Sequence, residues 1–146
     1  RNTYLENRLV KPNAVTVCGE SIDFRKVKTP AYIYGSREDH IVPIGGAYAT
    51  TQHWPVAKRF VMGASGHIAG VINPPEKVKY QYWTGGKPAG DFGAWVASAH
   101  ETPGSWWPHW LEWTVAQAPE RVKARKSGGR FKTLGDAPGT YVKVRS

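Results

Sequence analysis

Cysteine occurs once in 146 residues, at Cys18. One thiol cannot build an internal disulfide framework or a multi-cysteine zinc site. A reduced, cytoplasmic setting is the reading that follows. The five histidines (His40, His53, His67, His100, His109) are scattered, with neither an HExxH pattern nor a Cys/His cluster, so no metal is assigned. No apolar run approaches the roughly 18–20 residues that a membrane span needs. The opening Arg1-Asn2-Thr3-Tyr4 has no apolar stretch behind it, so no signal peptide is expected. It also has no initiator methionine, and Tyr4-Leu5-Glu6-Asn7-Arg8-Leu9 already reads like the middle of an element. The chain is expected to be a piece of a longer protein. Acidic residues are few, 11 against 20 Lys and Arg, which leaves a net charge of +9. That excess raises the question of nucleic acid. The cations, however, are spread along the chain, with one modest cluster at Arg121, Lys123, Arg125, Lys126, Arg130 and Lys132. No recognised binding motif accompanies them, so no nucleic-acid function is assigned.

Hydrophobic residues make up 40% and charged residues 21%, which places the chain among folded domains rather than disordered ones. Residues 1–12 read as the end of a helix, closed by Pro12. Val15-Thr16-Val17-Cys18 is a short β-type run. Ala31-Tyr32-Ile33-Tyr34, bounded by Pro30 and Gly35, is a strand signal. It is nearly all apolar, as for a strand covered on both faces. Pro43 can open a helix running towards Trp54, and Pro55 ends it. Arg59-Phe60-Val61-Met62 is the next strand, stopped by Gly63 and Gly66. Strand, helix and strand in this order form a βαβ unit with parallel strands and a right-handed crossover. Beyond Asn73-Pro74-Pro75, residues 77–93 read as a surface loop, and Phe92 to Ser98 as a possible helix. Ser105 can cap a helix with Pro108 in its first turn. Trp106, Trp110 and Trp113 then share one face, which is expected to pack on the sheet. Residues 119–146 read as a basic tail ending in Tyr141-Val142-Lys143-Val144, an edge strand or a loose end. The expected division is therefore 1–118 for the folded part and 119–146 for the tail.

Two titratable residues stand just past the strand ends. Asp39 follows the first strand of the βαβ unit, and His67 follows the second, 28 residues later. Open α/β sheets place their sites at the carboxyl ends of strands. In α/β-hydrolase-type sheets the chain order is nucleophile, acid, histidine. Acid and histidine are present here in that order. By position alone, His67 could be an ordinary loop residue, and Asp39 a helix N-terminal acid stabilised by the macrodipole. Cys18 reads as a small buried apolar residue. His40 reads as structural.

The runs Tyr32-Ile33-Tyr34-Gly35-Ser36-Arg37-Glu38-Asp39-His40-Ile41-Val42-Pro43 and Gly63-Ala64-Ser65-Gly66-His67-Ile68-Ala69-Gly70-Val71-Ile72-Asn73-Pro74-Pro75 closely resemble the C-terminal part of the class I polyhydroxyalkanoate synthases, the bacterial poly(3-hydroxybutyrate) polymerases. So do Tyr4-Leu5-Glu6-Asn7, Val15-Thr16-Val17-Cys18-Gly19, Gly104-Ser105-Trp106-Trp107-Pro108 and Ala137-Pro138-Gly139-Thr140-Tyr141-Val142-Lys143. The resemblance covers nearly the whole chain. It implies an α/β-hydrolase fold and an acyltransferase that joins (R)-3-hydroxyacyl groups from coenzyme A thioesters into a polyester, with release of coenzyme A. It also implies a Cys-Asp-His triad, with Asp39 the acid and His67 the base; Asp39 acts either through His67, by orienting its ring, or more directly in activating the attacking hydroxyl. No cofactor is implied, since the substrate carries the coenzyme A.

The family's nucleophile lies in a Gly-x-Cys-x-Gly box. Cys18 does not fit it, because Thr16 stands where the first glycine belongs. The nucleophile elbow and the cap over the site are therefore expected outside this chain, and the chain alone is expected to be inactive. Ile41 and Ala69 flank the pair and are candidates for lining the acyl pocket. The implied partners are 3-hydroxyacyl-coenzyme A, the growing polyester, its granule surface and a second subunit in a homodimer. Two other readings share these residues. One is a non-catalytic C-terminal segment for packing, dimerisation or granule contact through the Trp-rich helix. The other is an esterase of the same fold.

Overall fold

Pro30 cannot donate to a sheet ladder, so the first long strand starts just after it. In the computed structural model, which describes residues 1–126 and 128–145, this strand is β3 (Ala31–Ser36). Before it lie single 3-10 turns at Arg8–Val10 and Phe24–Lys26 and a small hairpin, β1 (Thr16–Val17) with β2 (Glu20–Ser21). The helix end expected over residues 1–12 is instead a run of turns, because Asn7 has a left-handed backbone and Pro12 follows closely. Cys18 is exposed, not buried. Cys18 and Gly19 are the two central residues of the hairpin turn, with φ of +49° and +84°. A two-residue turn needs this conformation to follow the twist of its strands, and it turns the thiol outwards.

After β3, Pro43 precedes α1 (Ile44–His53), and β4 (Lys58–Gly63) follows. β3 and β4 pair in parallel from Ala31↔Lys58 to Ser36↔Gly63. The strand–helix–strand unit therefore forms as its punctuation by prolines and glycines suggests. β5 (Gln81–Thr84) adds antiparallel to β4, and β6 (His100–Pro103) adds antiparallel to β5. Between them lies α2 (Phe92–Ser98), capped by the Asp91 carboxylate on the Ala94 N–H. The sheet order is β3-β4-β5-β6, so the chain has a mixed α/β architecture. The stretch expected to be a loop over 77–93 contains β5, whose Tyr82 and Trp83 are buried.

α1 and α2 cover one face of the sheet. Tyr48, Phe60, Met62, Ala64, Trp83 and Trp95 form the core there. α3 (Trp107–Gln117) covers the other face. Ser105 is close to its expected role: its Oγ accepts the Trp107 N–H at 3.1 Å. Trp106 and Trp113 meet Tyr32 and Tyr34 of β3, but Trp110 is 44% exposed, so the indole stripe packs only in part. The described residues after α3 are mostly exposed, and Tyr141–Lys143 form a 3-10 turn rather than a strand. Of the expected tail, Ser127 and Ser146 lie outside the described residues.

Candidate active site

The two loops of interest leave the sheet together. Beyond the last paired residues of β3 and β4, the Arg37 N–H donates to the Gly63 carbonyl at 2.8 Å. The Glu38 N–H donates to the Ser65 carbonyl at 3.0 Å. The parallel pairing thus continues one step into the loops and aligns the residues that follow. Ser65 has φ of +69°. This left-handed position costs a non-glycine residue energy, and it bends the chain so that His67 comes back over Asp39.

The Asp39 carboxylate is held on both oxygens. Oδ1 accepts the Ile41 N–H at 2.8 Å and the Val42 N–H at 2.9 Å. An aspartate folded back on its own following backbone is a common turn device. Oδ2 accepts from His67 Nδ1 at 2.8 Å. The pKa of Asp39 is lowered to about 2, chiefly by the Val42 N–H, with His67 and the Ile41 N–H adding to it and desolvation opposing. Asp39 is therefore ionised at neutral pH. A carboxylate only accepts, so Nδ1 of His67 carries the proton and donates. In the neutral ring this leaves the lone pair on Nε2. The side chain of Asp39 is 8% exposed and that of His67 is 41% exposed. The acid is shut in and the histidine is open, which suits a fixed orienting group beneath a proton-transferring one.

Beside the pair lies a cavity of about 180 Å³, lined by Tyr34, Gly35, Ser36, Asp39, Val42, Ala47, His67 and Val71. This is less than the several hundred Å³ of a drug-sized pocket. Ile41 and Ala69 are both exposed and are not among its lining residues. Ile41 contributes through its backbone N–H instead. His40 is exposed. Among the described residues no group of three His, Cys, Asp or Glu side chains is placed to share a metal ion. No helix among them is long and apolar enough to cross a membrane.

Three contributors escaped sequence reasoning. Val42 acts through its N–H, and Ser36 through a buried place in the cavity wall. Tyr34 reaches across to Gly63, where an added Cβ would stand 1.8 Å from its hydroxyl oxygen. The signals available were an aspartate shortly before Pro43, which suggests an Asx turn, and small residues at 63 and 70, which suggest close approach.

No family model matches the chain. It is 47% identical over 146 residues to the poly(3-hydroxyalkanoate) polymerase subunit PhaC of Rhizobium meliloti, covering all of this chain and 24% of that protein. It is 48% identical over 148 aligned positions to the subunit of the same name from Cupriavidus necator, covering all of this chain and 25% of that one. Poly(3-hydroxyalkanoate) polymerase 2 of Ectopseudomonas oleovorans is 38% identical over 141 residues, which are 95% of this chain and 25% of that protein. The chain spans about a quarter of the length of the curated relatives it matches. With close to half of its residues identical from end to end, it belongs to the poly(3-hydroxyalkanoate) polymerase family and corresponds to the C-terminal part of such a polymerase.

Proposed function

We propose that Asp39 and His67 are the acid and base of a Cys-Asp-His triad in a polymerase of α/β-hydrolase fold, with the thiol supplied by sequence outside this chain. The observation that carries this reading is the 2.8 Å bond from His67 Nδ1 to an aspartate already fixed by two backbone N–H groups, at the carboxyl ends of adjacent parallel strands. The substrates are (R)-3-hydroxyacyl-coenzyme A and the growing polyester chain.

The chemistry has two transfers. In the first, the nucleophile thiol attacks the thioester carbonyl of the substrate. His67 Nε2 takes the thiol proton, an acyl-thioester to the protein forms, and coenzyme A leaves as its thiol after receiving that proton. In the second, the hydroxyl of another hydroxyacyl unit attacks the acyl-thioester. Nε2 takes the hydroxyl proton and returns it to the departing protein thiol, so an ester forms and the thiol is regenerated. In both steps Asp39 fixes the ring tautomer and stabilises the transient imidazolium. The small cavity beside the pair supports an acyl group held against Nε2. We keep the division into a folded part, 1–118, and a basic tail, 119–146, as part of this proposal.

In the complete polymerase, His67→Ala is expected to lower coenzyme A release from (R)-3-hydroxybutyryl-coenzyme A by roughly 10²–10⁴-fold, the usual contribution of a general base. Cys18→Ala is expected to keep most of the rate, because that thiol sits in an exposed hairpin turn. An unchanged rate in His67→Ala, or acylation of Cys18 by substrate, would overturn the reading.

A further inference from the structure

One helical turn follows His67 directly. The Val71 and Ile72 N–H groups donate to the Ile68 carbonyl at 3.1 and 2.9 Å. The turn leans on the end of β4: a Cβ on Gly70 would stand 1.9 Å from the Ala64 carbonyl oxygen and 3.2 Å from the Tyr34 hydroxyl. Asn73, 3% exposed, ties the far end of the loop by donating to the Lys79 carbonyl at 2.9 Å. These contacts lie within or directly beneath the loop. A further one comes from the α3 layer. The Val71 carbonyl accepts the Trp107 indole N–H at 3.0 Å, from a residue 36 positions on.

Trp107 is well placed to hold something still. Its own backbone N–H is capped by the buried Ser105 hydroxyl. Two residues on, His109 is bonded to the Tyr32 hydroxyl of β3 at 2.8 Å. The first turn of α3 is therefore fixed to the sheet, and the Trp107 indole carries that fixity to the loop. His67 needs it. At 41% exposed, its ring has little packing to hold it at the angle that meets Asp39, so the backbone after it must set that angle. The packing of α3 on the sheet is carried by other rings: Trp106 on Tyr34 at 4.5 Å, Trp113 on Tyr32 at 5.5 Å, and His109 on Tyr82 at 5.8 Å. The N–H of Trp107 can thus be removed without removing the helix's seat.

We infer that Trp107 is a positioning residue for His67: its indole N–H, through the Val71 carbonyl, fixes the turn that sets the histidine against Asp39. This rests on the reading of Asp39 and His67 as acid and base.

The test uses the complete polymerase with two variants at this position. Trp107→Phe removes the donor and some volume. Replacement of Trp107 by β-(3-benzothienyl)alanine keeps the ring shape and removes only the N–H, so it carries the test even where the Phe variant fails to fold. For the benzothienyl variant, kcat is expected to fall roughly 10- to 100-fold, the scale of a misplaced catalytic group, with KM and Tm unchanged. The downfield proton resonance of the His67 Nδ1–H bonded to Asp39 is expected to broaden or move in the same variant. A wild-type kcat would overturn the inference. So would a fallen kcat with an unchanged imidazole resonance, which would mark Trp107 as acting elsewhere. If His67→Ala itself left kcat intact, the functional reading would fall, while the imidazole resonance would still decide whether Trp107 sets the ring.

Discussion

The two faces of the four-stranded sheet are built from different kinds of side chain. Under α1 and α2, Tyr48, Phe60, Met62, Trp83 and Trp95 are each no more than 8% exposed. Their rings meet mostly edge to face, as Phe60 does with Tyr48 at 5.0 Å and with Trp95 at 4.8 Å. Under α3 the layer is aromatic but wetter and directional. Tyr32 bonds His109 Nδ1 at 2.8 Å, and Arg59 donates to His109 Nε2 at 3.3 Å. Burial is non-directional and many packings satisfy it. Hydrogen bonds between fixed partners satisfy only one arrangement. The first face therefore supplies stability, and the second sets geometry. Two contacts reach the His67 loop from the second face, Tyr34 against Gly70 and Trp107 on Val71.

The hardest way to strike this division is through the sealed face. Phe60 is 1% exposed, and Phe60→Ala is expected to cost about 3–5 kcal/mol by losing burial and leaving a cavity. That is a large share of a typical domain's total of about 5–15 kcal/mol. Urea denaturation of the polymerase would show the transition moved to lower denaturant or lost. On the other face, Tyr32→Phe removes one hydroxyl bonded to His109, and about 1 kcal/mol is expected. The same denaturation experiment compares the two. A Tyr32→Phe loss as large as that of Phe60→Ala would break the contrast between the faces.

The same contrast explains what could be read from the sequence. β3, α1 and β4 were legible because Pro30, Pro43, Pro55 and Gly63 mark them locally, and the pairing of Asp39 with His67 was legible because both stand past those marks. β5 was not. Four residues, Gln81–Thr84, are too few to show an alternation, and their strand state comes from pairing with β4. β6 is short, mostly exposed and polar, so it carried no apolar signal at all. The hairpin at Cys18 has two-residue strands and lacks the Asn-Gly or Asp-Gly turn pair that would have announced it. The tryptophan stripe was half right. Trp106 precedes the helix rather than lying in it, and Trp107, which the stripe left out, makes the contact to the His67 loop. Contacts of that kind, a side chain to a backbone carbonyl 36 residues away, leave no periodic trace.

The finest probe of the two-face contrast is pH. The pKa of His109 is lowered from its ordinary 6.5, first by burial and then by the Arg59 guanidinium, with Glu112 opposing. Arg59 donates to Nε2, so the bonded ring is neutral and Nδ1–H donates to the Tyr32 oxygen. A group whose pKa is lower folded than unfolded binds fewer protons in the native state, so acid favours unfolding. The contribution of His109 is fully present above pH 6.5 and is lost as pH falls from there through the folded value. Asp39 has the same sign in a far more acidic window. Lowered from 3.8 to about 2, it contributes above pH 3.8 and loses that contribution only as pH falls towards 2. The seat of α3 is therefore expected to loosen at mildly acidic pH while the carboxylate of the Asp39 turn stays ionised. Denaturation midpoints read by tryptophan fluorescence between pH 7.5 and about 4.5, a range set by the ordinary His value, should fall on acidification. His109→Gln, whose amide does not titrate, should flatten part of that slope. An equal slope in the variant would mean that His109 is not what makes the α3 face sensitive to acid.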